Sequence, residues 1–177
     1  MLTIQEIFDE IKTSGGLTPS RRLRDIASRF PNQVAFRDKR YGIWNEITYC
    51  EFWTQVQYVG SALNYFGVKR TDKVAIHSEN RPEWLISDIG IQSLGAISVG
   101  LYPTNPPAEV QYLLSHSESK ILFAEDQEQV DKALEVSKDV PNLSKIIYFE
   151  EKGLFRYESD MLMRWDDFLE IGKTEYE

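Results

Sequence analysis

The chain has 177 residues, 42% hydrophobic and 27% charged, which supplies one sizeable core and predicts one domain or part of one. A net charge of −8 argues against holding nucleic acid through its phosphates, and the one basic cluster, Arg21, Arg22 and Arg24, reads as a solvated helix face. A single cysteine, Cys50, rules out an internal disulfide; with only two histidines a Cys/His metal site is not expected, and a reducing cytoplasm fits best.

The first dozen residues place Ile4, Ile7, Phe8 and Ile11 on one helical face, with Thr3 and Glu6 at capping-box spacing. A short amphipathic helix followed by the linker Thr13-Ser14-Gly15-Gly16 is expected over residues 1–16. Such a helix must dock on the body or meet a partner subunit or a membrane surface, so a homodimer and peripheral membrane contact stay open. The acidic start carries no secretory or transit signal. The longest mostly apolar stretch, Ile89 to Tyr102, is interrupted by Gln92 and Ser93 and is too short to cross a bilayer.

Thr18-Pro19-Ser20 opens a second helix with Leu23, Ile26, Ala27 and Phe30 on one side, ended by Pro31-Asn32. Val34-Ala35-Phe36 and Ile43 to Ile47 read as a hairpin around Lys39-Arg40-Tyr41-Gly42. Thr48 and Glu51 then form a capping box ahead of Tyr49, Phe52, Trp53, Val56, Val59, Leu63 and Phe66, which repeat at three and four; Gly67 ends the helix. Gly60 in mid-helix costs about 1 kcal/mol against alanine, which predicts a close approach to a sheet. Cys50 lies off the apolar stripe.

The centre of the chain is Lys73 to Thr104. Val74-Ala75-Ile76 is a strand, Asn80 is placed to cap a helix entered at Arg81-Pro82 with Glu83 in its first turn, and Ala96 to Tyr102 is a second strand. Two strands joined by a helix of this length must lie parallel, and such a crossover is almost always right-handed. Past this unit, Asn105-Pro106-Pro107 starts a helix with Val110, Leu113 and Leu114 inward, and Ile121 to Ala124 is a strand. Asp126 caps a helix with Val130, Ala133 and Leu134 buried and a Glu128–Lys132 surface pair; Ile146 to Phe149 is another strand. Beyond Glu150 the pattern weakens to a turn at Glu150-Glu151-Lys152-Gly153 and a short helix from Trp165 to Ile171, with no closing strand. Four strands alternating with three helices define an α/β chain with a doubly wound, mostly parallel sheet flanked by helices, preceded by a short helix and a β-hairpin.

Ligands of such sheets lie beyond the carboxyl ends of the strands. The residues there are His77-Ser78-Glu79-Asn80, Tyr102-Pro103-Thr104, Glu125-Asp126 and Glu150-Glu151. No nucleophile with a base and no carboxylate pair can be assigned, so no catalytic, cofactor-binding or metal-ligating residue is nominated. Gly90, Gly95 and Gly100 imitate a phosphate-loop frame, but Ala96 follows Gly95 where lysine and a hydroxyl residue are required. These glycines read as helix packing, helix termination and a close strand contact. The candidate pocket wall is Tyr102, Pro103, Thr104 and His77, with His77 assigned a structural role.

The strings V-A-I-H-S-E-N-R-P-E-W, G-A-I-S-V-G-L-Y-P-T, I-T-Y-C-E-F and G-V-K-R-T-D-K-V-A-I resemble the amino-terminal part of adenylate-forming acyl-CoA synthetases, long-chain fatty acid-CoA ligases in particular, from about Thr18 to Glu177. The resemblance implies that residues 17–177 are the incomplete amino-terminal α/β part of the large AMP-binding domain. It implies a parent enzyme that joins a fatty acid to coenzyme A through an acyl adenylate, using ATP and magnesium. The family's Pro-Lys-Gly phosphate loop, aromatic adenine motif, ribose aspartate and carboxyl-terminal lysine have no counterpart here, so this chain is expected to bind no cofactor and to be inert alone. Its expected partner is the remainder of the parent enzyme. Two positions depart from the family pattern: Gly100 stands for a proline in V-P-L-Y-x-T, and Thr71 for a glycine in G-V-K-x-G-D. The rival reading is a stand-alone flavodoxin-like interaction or ligand-binding module whose acidic surface serves a basic partner.

Overall fold

The computed structural model describes residues 18–40 and 42–177, with Thr3, Gln5, Glu6, Asp9 and Thr13. The apolar stripe Ile4, Ile7, Phe8 and Ile11, the Ser14-Gly15-Gly16 linker and Tyr41 lie outside the described residues. Thr3 and Glu6 do form the expected reciprocal bonds, Thr3 N–H to Glu6 Oε2 at 2.7 Å and Glu6 N–H to Thr3 Oγ1 at 3.2 Å.

Helix α1 (Pro19–Arg29) begins at Thr18, whose hydroxyl accepts the Arg21 N–H, and proline is accommodated in its first turn, where no helical hydrogen bond is lost. It buries Leu23 and Ala27; Phe30 follows the last turn and is largely exposed, so it does not extend the stripe. Strands β1 (Val34–Arg40) and β2 (Ile43–Thr48) form the antiparallel hairpin, with a bulge between Val34 and Phe36. Helix α2 (Tyr49–Tyr65) carries both bonds of the Thr48–Glu51 capping box, and its Phe52 meets Phe36 edge-on at 4.9 Å, which seats the hairpin on the body.

Five parallel strands make the main sheet: β3 (Lys73–His77), β4 (Ile97–Leu101), β5 (Ile121–Ala124), β6 (Lys145–Tyr148) and β7 (Leu162–Arg164), in spatial order β4-β3-β5-β6-β7. The connecting helices are α3 (Pro82–Ser93), α4 (Pro107–Ser117) and α5 (Gln127–Val136), and α6 (Trp165–Tyr176) follows the last strand. Side chains alternate across the sheet because strand periodicity is two. Val74, Ile76, Ile121, Phe123 and Ile147 join Val56, Val59, Leu63, Ile86 and Phe168 in one core, whereas Ala75, Leu122, Ala124 and Ile146 join Val110, Leu114, Val130 and Ala133 in the other. Helices α1, α2, α3 and α6 therefore cover one face and α4 and α5 the other: the sheet is doubly wound.

Several expectations need correction. The three-residue strand β7 closes the far edge where no strand was predicted, because so short a segment shows no period. Helix α6 runs on past Ile171 to Tyr176. Gly60 faces another helix instead of the sheet: a Cβ there would lie 2.8 Å from Ser93 Oγ of α3. Gly100 makes no tight strand contact, since its nearest neighbour would be Trp84 at 3.9 Å. Thr71, the departure from the family's glycine, sits at φ 69°, a left-handed conformation that a β-branched residue enters only with strain. Its N–H is held by Gly95 O at 2.9 Å.

Candidate functional site

The strand order is that of a flavodoxin-like sheet, with the reversal between β3 and β5. The first helix out of β3 leaves on one face and the helix out of β5 on the other, which opens a crevice at their carboxyl ends. Glu125, the residue after β5, fills that crevice. Its N–H donates to His77 O at 3.1 Å, and its Oε2 accepts the Glu79 N–H at 2.6 Å and the Ser78 hydroxyl at 3.2 Å. The backbone N–H that could have met a ligand phosphate there is already bound to a carboxylate.

Arg81 organises the surrounding charge. It occupies the N-cap of α3 in an extended conformation, as a residue preceding proline must, and makes no side-chain cap. Asn80 thus lies one residue too early and is exposed; the expectation that it caps this helix fails. The Arg81 guanidinium instead reaches Glu83 Oε2 at 2.8 Å, Glu150 Oε1 at 2.8 Å and Glu125 Oε1 at 3.8 Å, and lies over the Phe149 ring at 5.2 Å. From the hairpin, Arg40 pairs with Glu83 Oε1, with Asp38 at 2.7 Å and with Glu150 at 4.0 Å.

Burial opposes the charge on both arginines and on Glu83, but their partners outweigh it. Asp38 and Glu83 hold the Arg40 pKa above its ordinary value, and Glu83 and Glu150 do the same for Arg81. The two guanidiniums hold Glu83 below the ordinary carboxylate value despite its burial. The sequence places Glu125 and Glu150 at strand ends but gives Arg40 and Arg81 no role in a site; β1 runs on past Phe36, so Arg40, expected in the hairpin turn, is the last residue of the strand.

The candidate wall residues divide into two groups. Tyr102 and Pro103 line a cleft of about 350 Å³ with Ser78, Glu79, Trp84 and Gly100. His77 stands behind it, fully buried, its Nε2 3.1 Å from Tyr102 O; since a carbonyl only accepts, Nε2 carries the proton. Burial, reinforced by Lys132, pushes the His77 pKa down to about 4, so the ring is neutral at pH 7. Lys132 Nζ donates to Pro103 O at 2.8 Å and pins the same turn. Thr104 is exposed and does not line this cleft.

A second cleft of about 570 Å³ is lined by Arg40, Asp126, Gln127, Glu150 and Lys152. Among the described residues, no group of three or more His, Cys, Asp or Glu side chains is arranged to hold a metal ion. The arginines here are committed to carboxylates and the crevice is closed by Glu125, so the residues present do not fit a magnesium-bound triphosphate.

These features define a doubly wound α/β protein of flavodoxin-like strand order, the class that places its ligands beyond the carboxyl ends of the strands. The family model for AMP-binding enzymes matches residues 23–162. The chain belongs to the AMP-binding enzyme family.

Among curated relatives, it is 26% identical over 157 residues to the long-chain-fatty-acid–CoA ligase ACSBG2 of Xenopus laevis, covering 89% of this chain and 21% of that protein. It is 32% identical over 123 residues to the long-chain-fatty-acid–CoA ligase FadD15 of Mycobacterium tuberculosis, covering 70% of this chain and 20% of the relative. The chain therefore spans about a fifth of the length of these relatives. Among solved structures, the anthranilate CoA ligase AuaEII superposes with a TM-score of 0.75 at 22% identity, over 85% of this chain and 27% of that one. That likeness shows the fold.

Proposed function

We propose that this chain is the amino-terminal α/β layer of an AMP-forming long-chain fatty acid-CoA ligase, which converts ATP, a fatty acid and coenzyme A to acyl-CoA, AMP and pyrophosphate. The observation that carries the reading is the family match across residues 23–162, supported by long-chain ligase relatives. ATP would supply the adenylyl group, magnesium its charge neutralisation and coenzyme A the accepting thiol. The contribution of this chain is architectural: it supplies a rigid sheet, an ion-paired rim, and Tyr102 and Pro103 as a wall of the parent's pocket. A reducing cytoplasmic setting accompanies the reading. No helix among the described residues is long and apolar enough to cross a membrane.

Alone, the chain is expected to be inert, because adenylation needs cations and free backbone N–H groups around the triphosphate, and at the strand ends both arginines are paired with carboxylates and the Glu79 N–H is held by Glu125. Two assays test the reading. Pyrophosphate release from ATP, magnesium, palmitate and coenzyme A should stay at background with this chain, and turnover would overturn the inert assignment. A long-chain ligase whose corresponding segment is replaced by residues 18–177 should keep making palmitoyl-CoA; a chimera that folds and binds ATP but makes none would overturn the ligase assignment.

The flavodoxin-like strand order supports the rival, a stand-alone ligand-binding or interaction module. The bare apolar side chains along and beside edge strand β4, Ile97 at 48% and Tyr102 at 79% exposure, weigh against it. A hydrophobic dye should bind the isolated chain if those side chains belong under other protein, and a monodisperse chain that takes up none favours the module.

A further inference from the structure

The amino-terminal ends of the strands carry a cleft of the opposite electrostatic character. Because β3 and β4 are parallel, the turn before β3 and the turn before β4 lie together, and α1 starts beside them. The cleft between them has a volume of about 550 Å³ and is lined by Arg21 and Arg24 of α1, Arg70 of the turn before β3, Trp53 of α2, and Gln92 and Ser93 at the end of α3. Among the described residues no carboxylate lines it. The clefts at the other end of the sheet each contain at least one: Glu79 in the first, Asp126 and Glu150 in the second, Asp38 and Glu83 in a third. In a chain of net charge −8, three guanidiniums lining one cleft make a local reversal of the overall field.

Two of these arginines, Arg24 and Arg70, differ from those of the ion-paired rim. Arg24 has only a loose contact with its neighbour Asp25, at 3.7 Å between exposed side chains. Arg70 forms no ion pair with the described residues and is laid across Gly95: a Cβ on that glycine would stand 3.2 Å from Nη1 and 3.3 Å from Cγ. Gly95 at φ 71° thus lets both the stem and the guanidinium of Arg70 lie along the floor of the cleft, where the residue stays exposed. The eleven-residue helix α1 points its amino terminus into the same cleft with no acidic residue in its first turn, and Trp53 offers an aromatic surface.

A guanidinium fork pairs with two oxygens at a time, and a phosphate, with more oxygens and more charge than a carboxylate or a halide, can engage several guanidiniums at once. We propose that this cleft binds a multiply charged phosphate, either on a free small molecule or on a lipid headgroup. The assignment goes beyond the ligase reading and does not depend on it, since the cleft lies at the opposite end of the sheet from the strand-end site.

The test is calorimetric titration of the 177-residue chain with sodium pyrophosphate at low ionic strength, beside co-sedimentation with phosphatidylcholine vesicles with and without added phosphatidylinositol phosphate. One saturable site is expected in at least one arm. Because a hydrogen-bonded charge contact is worth about tenfold in affinity, Arg70→Gln and Arg24→Gln should each weaken binding by about that factor, while Arg156→Gln, away from the cleft, should not. Saturation by pyrophosphate assigns a free ligand, and binding only to phosphoinositide vesicles assigns a headgroup. The proposal is overturned if wild type binds neither, or if binding is indifferent to Arg24→Gln and Arg70→Gln. All three positions are exposed, so circular dichroism of the variants should match wild type.

Discussion

Arg40 and Glu83 are 43 residues apart in sequence and share one ion pair that ties the tip of the hairpin to the first turn of α3. Glu83 is 8% exposed and is also the partner of Arg81, so its carboxylate serves two guanidiniums from two parts of the fold. Removing one member of a buried pair leaves the others desolvated and uncompensated.

Glu83→Gln is therefore expected to cost about 2–4 kcal/mol in urea unfolding, whereas Arg40→Gln, whose side chain is more exposed, should cost about 1 kcal/mol. Equal and small losses for the two would mean that the pair is a surface contact without structural weight.

Thr71 holds a left-handed backbone, φ 69°, the conformation that glycine enters without strain. Thr71→Gly relieves that strain at some cost in unfolded-state entropy, and the net effect should be a gain of about 1 kcal/mol, read as a higher urea midpoint at unchanged slope. A loss would show that the Thr71 side chain makes a contribution larger than its strain.

His77 gives the chain a pH dependence with a definite sign. Its folded pKa of about 4 lies below the unfolded value near 6.5, so the unfolded chain binds the extra proton first. The stability of neutral His77 is complete above the unfolded value and is lost as pH falls toward the folded one. Between pH 7.5 and 5 the loss should reach about 2 kcal/mol, and His77→Gln should flatten the profile in that window. Glu83, held low by its arginines, adds its own loss only at more acid pH. An unchanged slope in His77→Gln would assign the acid sensitivity elsewhere.

Helices α2 and α6 touch through backbone. A Cβ on Gly172 would lie 2.0 Å from Tyr58 O, and one on Gly90 of α3 would lie 2.4 Å from Val59 Cγ1. Gly172→Ala is expected to cost about 2–3 kcal/mol because a carbonyl cannot step aside, and Gly90→Ala somewhat less because a side chain can turn. If Gly172→Ala were neutral, α6 would have to be free to shift along α2.

The sequence by itself determined the alternation of strands and helices, the parallel central unit, the Thr48–Glu51 and Thr3–Glu6 capping boxes and the family, because each is written in local periodicity, short-range hydrogen bonding or contiguous motif. It placed Glu125 and Glu150 at strand ends for the same reason. It also read Gly90 as a packing glycine and Gly95 as a helix stop, and both hold, with Gly95 at positive φ and Gly90 against Val59. Only the tertiary structure decided that Arg81 would take the cap position expected of Asn80 and that Arg40 would reach Glu83 from another element. It alone showed that Gly60 would face α3, that a three-residue β7 would pair with β6, and that Arg21, Arg24 and Arg70 would line one cleft. Those outcomes depend on which segments meet across the sheet. Partners 43 or 69 residues apart leave no period in the chain, so their energy exists only once the fold has brought them together.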